Sequence, residues 1–184
     1  MKQRLLTVGV VACVAAAGCG GEEGPGTVAL YDRAPVPAVP DRTHAIPSAN
    51  VAGGAIVGTL PDGDYWGTDI ATTDGSTLTF RLAQALAGPA CVEVLGDEGC
   101  VDDGVGEISD PHGSLTLAPD ELVAVTVVGG LRQNFAVTGA ELLSLATGAQ
   151  PAGAAPDDFT FGAYPFLLSV RDGVVVEAHQ IWVP

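Results

Sequence analysis

The chain predicts a mainly β or α+β domain, a small antiparallel sheet or barrel-like arrangement with one or two short helices. Three observations carry this. Apolar and polar residues alternate with period two in short runs, as half-buried strands require. Asp-Gly pairs at Asp74-Gly75 and Asp172-Gly173 interrupt such runs, where a hairpin would turn. Stretches with helical spacing are few and short.

The elements follow in order. Gly63-Asp64-Tyr65-Trp66 opens a strand running towards Thr72. After the Asp74-Gly75 turn comes Ser76 to Leu82, with Leu78, Phe80 and Leu82 on one face and Thr77, Thr79 and Arg81 on the other. Leu82 to Ala87 is expected to turn helical until Gly88-Pro89 stops it. The acidic, glycine-rich stretch from Cys91 to Pro119 reads as a loop with one short strand at Ser114 to Leu117. Leu122 to Val128 is apolar on both faces apart from Thr126, which marks a strand covered on both sides, and Gly129-Gly130 ends it. Asn134 to Thr138 is a further strand. Thr138 is placed to cap a helix over Gly139 to Ala146, with Glu141 set for a capping box and Gly148 where a C-cap belongs. In the last hairpin Phe166, Leu168 and Val170 alternate with Leu167, Ser169 and Arg171. Asp172-Gly173 turns the chain, and Val174, Val176, Ala178, Gln180 and Trp182 share the returning face.

Residues 1–55 read differently. Lys2 and Arg4 precede an apolar run of 13 residues, Leu5 to Ala17, too short for the ~20 residues of a membrane-spanning helix. The run ends in VAAAGC and resembles a bacterial lipoprotein signal peptide. That resemblance implies cleavage after residue 18 and a diacylglyceryl group on the Cys19 thiol. Such signals usually carry leucine where Ala16 stands. Cys13 is the rival acceptor, but cutting there leaves only the eight apolar residues Leu5 to Ala12. The expected location is the outer face of the cell membrane, lipid-anchored. Residues 19–55 then read as a tether punctuated by Pro25, Pro35, Pro37, Pro40 and Pro47, with APVPAVP favouring polyproline II. The folded domain is expected over 56–184.

Four cysteines fit this scheme: Cys13 leaves with the signal, Cys19 takes lipid, and Cys91 and Cys100 are free to pair in an oxidising compartment. Past the signal, five arginines face 22 acidic residues, a net charge of about −17. That argues against nucleic acid, whose phosphates need clustered Lys and Arg, and against electrostatic docking on anionic lipid.

Four groups of residues bear on chemistry. Asp97, Glu98, Asp102, Asp103, Glu107 and Asp110 crowd one region, but their spacing does not match an EF-hand. Ser109, Asp110 and His112 are close, yet no G-x-S-x-G elbow is present and Asp110-Pro111-His112-Gly113 reads as a turn. His44 falls in the tether, and His179 shares a strand face with Glu177. Gly53-Gly54 and Gly58 lack the Lys-Ser/Thr of a phosphate loop. Tyr65, Trp66 and Trp182 offer a stacking platform, with core packing the simpler role.

PDGDYWG followed by STLTFRLAQAL, with the ending YPFLLSVRDGVVVEAHQIWVP, resembles a family of secreted or lipid-anchored actinobacterial proteins. The resemblance covers Leu60 to Pro184. It implies a fold and an extracytoplasmic address but no reaction and no cofactor. The functional expectation is a non-catalytic domain, held to the membrane by its lipid, that binds an envelope protein or a small ligand. The alternative is a metal-assisted envelope hydrolase using the acidic Cys91–Cys100 region and His112.

Overall fold

The alternating runs become ten strands of one sheet. The computed structural model describes residues 30–100 and 104–183, so the signal segment, Cys19, Asp102 and Asp103 lie outside the described residues. The strands are β1 (Arg33–Ala34), β2 (Val51–Ala52), β3 (Ala55–Ile56), β4 (Gly63–Ala71), β5 (Leu78–Ala87), β6 (Val105–Leu117), β7 (Ala124–Val128), β8 (Asn134–Val137), β9 (Phe166–Arg171) and β10 (Val174–Gln180). Their order is β1-β8-β7-β10-β9-β4-β5-β6-β3-β2. Neighbours are antiparallel except β7 with β10 and β3 with β6. Helices α1 (Gly88–Leu95) and α2 (Gly139–Ala146) complete a mainly β domain. Among the described residues no helix is long and apolar enough to cross a membrane.

Period two sorts the side chains onto two faces. Tyr65, Phe80, Leu82, Phe166 and Leu168 enter the larger core, where Leu142 and Leu145 of α2 join them. Trp66, Ala83 and Leu167 go to a second, smaller cluster with Ile181. Both faces of β9 are therefore covered, and five of its six residues are buried. Each fully buried large apolar side chain contributes about 1.5–3 kcal/mol.

Turn chemistry works as the residues suggest. Asp172 and Gly173 both take positive φ, 51° and 75°, as a two-residue hairpin turn demands. At the β4–β5 turn the Asp74 carboxylate accepts the N–H groups of Ser76 and Thr77, at 2.9 and 3.0 Å. Those bonds hold its pKa down at about 2. Thr138 Oγ1 accepts the Glu141 N–H at 3.1 Å, and Gly148, at φ 81°, ends α2. The Glu141 carboxylate does not complete the capping box. It takes the Tyr31 hydroxyl at 2.5 Å and the Ala152 N–H at 2.8 Å instead, tying α2 to the segment before β1 and to the following loop.

Four stretches depart from expectation. Leu82 to Ala87 is strand, not helix: β5 pairs with β6 through Ala87, and that ladder outweighs the helix propensity of its alanines. Gly88-Pro89 starts α1 rather than stopping a helix, because Gly88 turns at φ 53° and proline suits a first helical turn. The expected loop before Pro119 contains the 13-residue β6, whose acidic and glycine-rich composition hides its pairing. In β10 a bulge between Val175 and Glu177 shifts the alternation, so Val175, Ala178 and Gln180 are buried and Val174 is exposed.

Residues 30–55, read from composition as tether, lie against the sheet. Tyr31, Thr43 and Ile46 are buried, and β1 pairs with β8. Asp41 to Thr43 then bonds to Ala85 and Ala87 of β5, and His44 to Asp64 of β4. The proline-rich strap between these anchor points crosses the second face, where Val39 packs against the Trp66 cluster. Fixed φ angles suit such a strap, since little freedom is lost on ordering it.

Candidate functional site

The second face is not fully covered. Between the sheet and the segments around Pro165 and Val183 lies an open cleft of about 470 Å³. Its floor follows from the pleat. Trp66 and Thr68 stand two apart on β4, Arg81 projects from β5 between the core residues Phe80 and Leu82, and Glu107 comes from β6. Val105, Pro165 and Val183 add apolar wall. The disulfide between Cys91 and Cys100 closes α1 onto its loop, and both pack against β6 at Gly106. Gly106 permits this, because a Cβ there would meet Cys91 Sγ at 2.8 Å and Leu95 Cδ1 at 2.5 Å.

At one end of the cleft the polar groups are held. Arg81 Nη1 donates to Glu107 Oε1 at 2.8 Å and to Thr68 Oγ1 at 3.3 Å, and the Ser109 hydroxyl also donates to Glu107. Both charged side chains keep roughly a third of their surface exposed, so the pair adds at most about 1 kcal/mol to stability. Its effect is positional. Nη1 is committed to these partners, and Arg81 lines the cleft. Glu107 offsets the charge, so the site suits a neutral hydrogen-bonding group next to an apolar body rather than an anion.

The other residues singled out from the sequence are placed as follows. Cys19 lies outside the described residues, as do Asp102 and Asp103. Asp97 and Glu98 stand exposed on a short turn after α1, and of the described members of the acidic group Glu107 reaches the cleft. Among the described residues no three His, Cys, Asp or Glu side chains converge as metal ligands would. Ser109, Asp110 and His112 do not form a relay: His112 Nδ1 faces the Ser109 carbonyl oxygen at 2.6 Å, while the Ser109 hydroxyl turns to Glu107. These residues belong to a bulge of β6 opposite Ala83. His44 packs against Tyr65, ring centroids 5.6 Å apart. His179 bridges Thr126 and Glu177 at 3.1 and 3.3 Å. Gly53, Gly54 and Gly58 make the tight β2–β3 connection and the turn after it, all at positive φ.

The three platform aromatics are separated by the pleat. Tyr65 is fully buried in the larger core. Trp66 is the cleft floor, 3% exposed. Trp182 faces away from the cleft on the ridge made by residues 162–165 and 181–183, under the Arg132 guanidinium at 3.4 Å. Arg81, Thr68 and Arg132 carried no recognisable motif. The one signal for Arg81 was a charge between Phe80 and Leu82, which is what any strand with one wet face shows.

No protein-family model matches the chain, and neither does any curated protein or solved structure.

Proposed function

We propose that this protein is a lipid-anchored, extracytoplasmic binding domain, held at Cys19 and taking a small neutral ligand in the Trp66 cleft. The observation that carries the binding reading is the cleft itself. It joins an apolar floor to a guanidinium already aligned by Glu107 and Thr68, which matches the usual build of a small-molecule site. The address rests on the VAAAGC segment and on the family resemblance. In this reading the disulfide-held loop is a wall that keeps the cleft shaped.

The test is a thermal-shift screen of the purified full chain against small neutral carbonyl and hydroxyl compounds, beside Arg81→Ala. Compounds that raise the wild-type Tm by several degrees should fail to raise that of Arg81→Ala. Hits that stabilise both proteins equally would remove the cleft from consideration.

A further inference from the structure

A second cavity, of about 460 Å³, opens on the far side of the ridge from the Trp66 cleft. Alternate ridge residues face the two hollows: Ala163, Pro165 and Val183 line the first, Gly162, Tyr164 and Trp182 the second. Arg132, Asp158 and Thr160 complete its polar lining.

We propose that this cavity is a saccharide-binding site. The first argument is charge. Arg132 and Asp158 line the same small space, yet neither forms an ion pair with the other or with any other described residue. A ligand for this pair must accept hydrogen bonds from the guanidinium and donate them to the carboxylate. An anion would meet Asp158 and a cation would meet Arg132. A sugar hydroxyl does both jobs with one group. Thr160 and Tyr164 add hydroxyls of the same double character, and the Tyr164 ring, with the part of Trp182 that Arg132 leaves uncovered, lines the cavity with apolar surface for the C–H face of a pyranose.

The second argument is that the chain is shaped to make the cavity. Arg132 sits with Leu131 at the centre of the β7–β8 turn, both at positive φ, 60° and 59°. Asn and Gly fill such positions without strain, but only a long side chain there lays a guanidinium over Trp182. Backbone strain of this kind gathers at functional sites. Gly130 leaves room for the carboxylate, since a Cβ would meet Asp158 Oδ2 at 2.7 Å. Gly162 leaves room for the aromatic ring, since a Cβ would meet Tyr164 Cε2 at 2.7 Å. Beneath them the fully buried Gln180 fixes the frame: it accepts the Val128 N–H at 2.9 Å and donates to the Gly162 carbonyl at 2.7 Å.

The experiment is titration of the purified full chain with chitotriose, maltotriose and mannotriose, and in parallel with glycine, read by intrinsic fluorescence. Of the two tryptophans, the partly buried Trp182 lines this cavity and Trp66 lines the other cleft, so substitutions in each hollow assign the signal. At least one trisaccharide should give a saturable change below about 10 mM. Asp158→Ala and Arg132→Ala should each weaken it about tenfold or more, while Arg81→Ala in the other cleft should leave it unchanged. No saturable change with any trisaccharide overturns the proposal, as does a change that survives both substitutions, or a response to glycine alone. A response lost in Arg81→Ala but kept in Asp158→Ala would also overturn it and would assign the sugar to the Trp66 cleft.

Discussion

Gln180 shows how one residue holds distant parts of this protein together. Its side chain, fully buried, pairs with Val128 at the end of β7 and with Gly162 on the ridge, while Asn134 of β8 donates to the Gln180 backbone carbonyl at 2.8 Å. Gln180→Leu keeps the volume and strands the buried Val128 N–H and the part-buried Gly162 carbonyl. It should cost about 2–4 kcal/mol in urea unfolding. Tyr31 governs alkaline stability. Burial first, then the hydrogen bond to Glu141 and that residue's charge, hold its phenol well above its ordinary value of 10.0. Tyr65 is raised too, by burial and then by the charge of Asp62. In both cases the folded state keeps a proton that the unfolded state gives up. Their stabilisation is therefore complete below pH 10 and declines as pH climbs past it towards the folded values. Tyr31→Phe should flatten the fall in stability measured from about pH 9 to 11; an unchanged slope would show that Tyr31 does not titrate on unfolding.

At the scale of elements, the β7–β8 hairpin is the strained part. Leu131 adopts φ 59° with its side chain 97% exposed, so it gains no packing for the left-handed conformation. Leu131→Asn should stabilise the protein by about 0.5–1 kcal/mol, because asparagine tolerates that region and leucine does not. A lower Tm for this variant would mean that Leu131 packs in solution. The β6 edge is protected in two places. β3 pairs with it at Ser114, and the disulfide loop covers it at Gly106. Closing the Cys91–Cys100 loop restricts the unfolded chain by about 2.5–3 kcal/mol in the chain-entropy model. The same bridge therefore serves stability, edge protection and the wall of the Trp66 cleft.

For the whole molecule, the strap changes the picture of the anchor. Ten residues separate Cys19 from Leu30, which packs against the larger core. Ten or so extended residues span at most about 35 Å. If Cys19 carries lipid as proposed, the domain is held close to the bilayer, and the net charge of about −17 carried by the chain past the signal keeps it off an anionic surface. Expressed in a bacterium, the full chain should fractionate with membranes and dissolve in detergent, and Cys19→Ala should move it to the soluble fraction. Membrane association that survives Cys19→Ala but not Cys13→Ala would transfer the lipid to the earlier cysteine.

What the amino-acid order determined by itself was local. Alternation named the strands near Gly63, Leu78 and Phe166, Asp-Gly set the last hairpin, and Thr138 with Gly148 bounded α2, because each depends on neighbours a few residues apart. Tertiary structure alone decided the rest. β5 stays extended through Ala87 only because β6 lies beside it, and β6 is itself invisible as a run of apolar residues. The proline-rich segment lies on the domain because β8, β5 and the Trp66 cluster are there to receive it. Both cavities join residues far apart in sequence, such as Arg81 with Pro165 and Arg132 with Trp182. Their convergence depends on which strands pair and on which face the pleat turns each side chain, and that is settled by burial and hydrogen-bond satisfaction across the whole sheet rather than by any short motif.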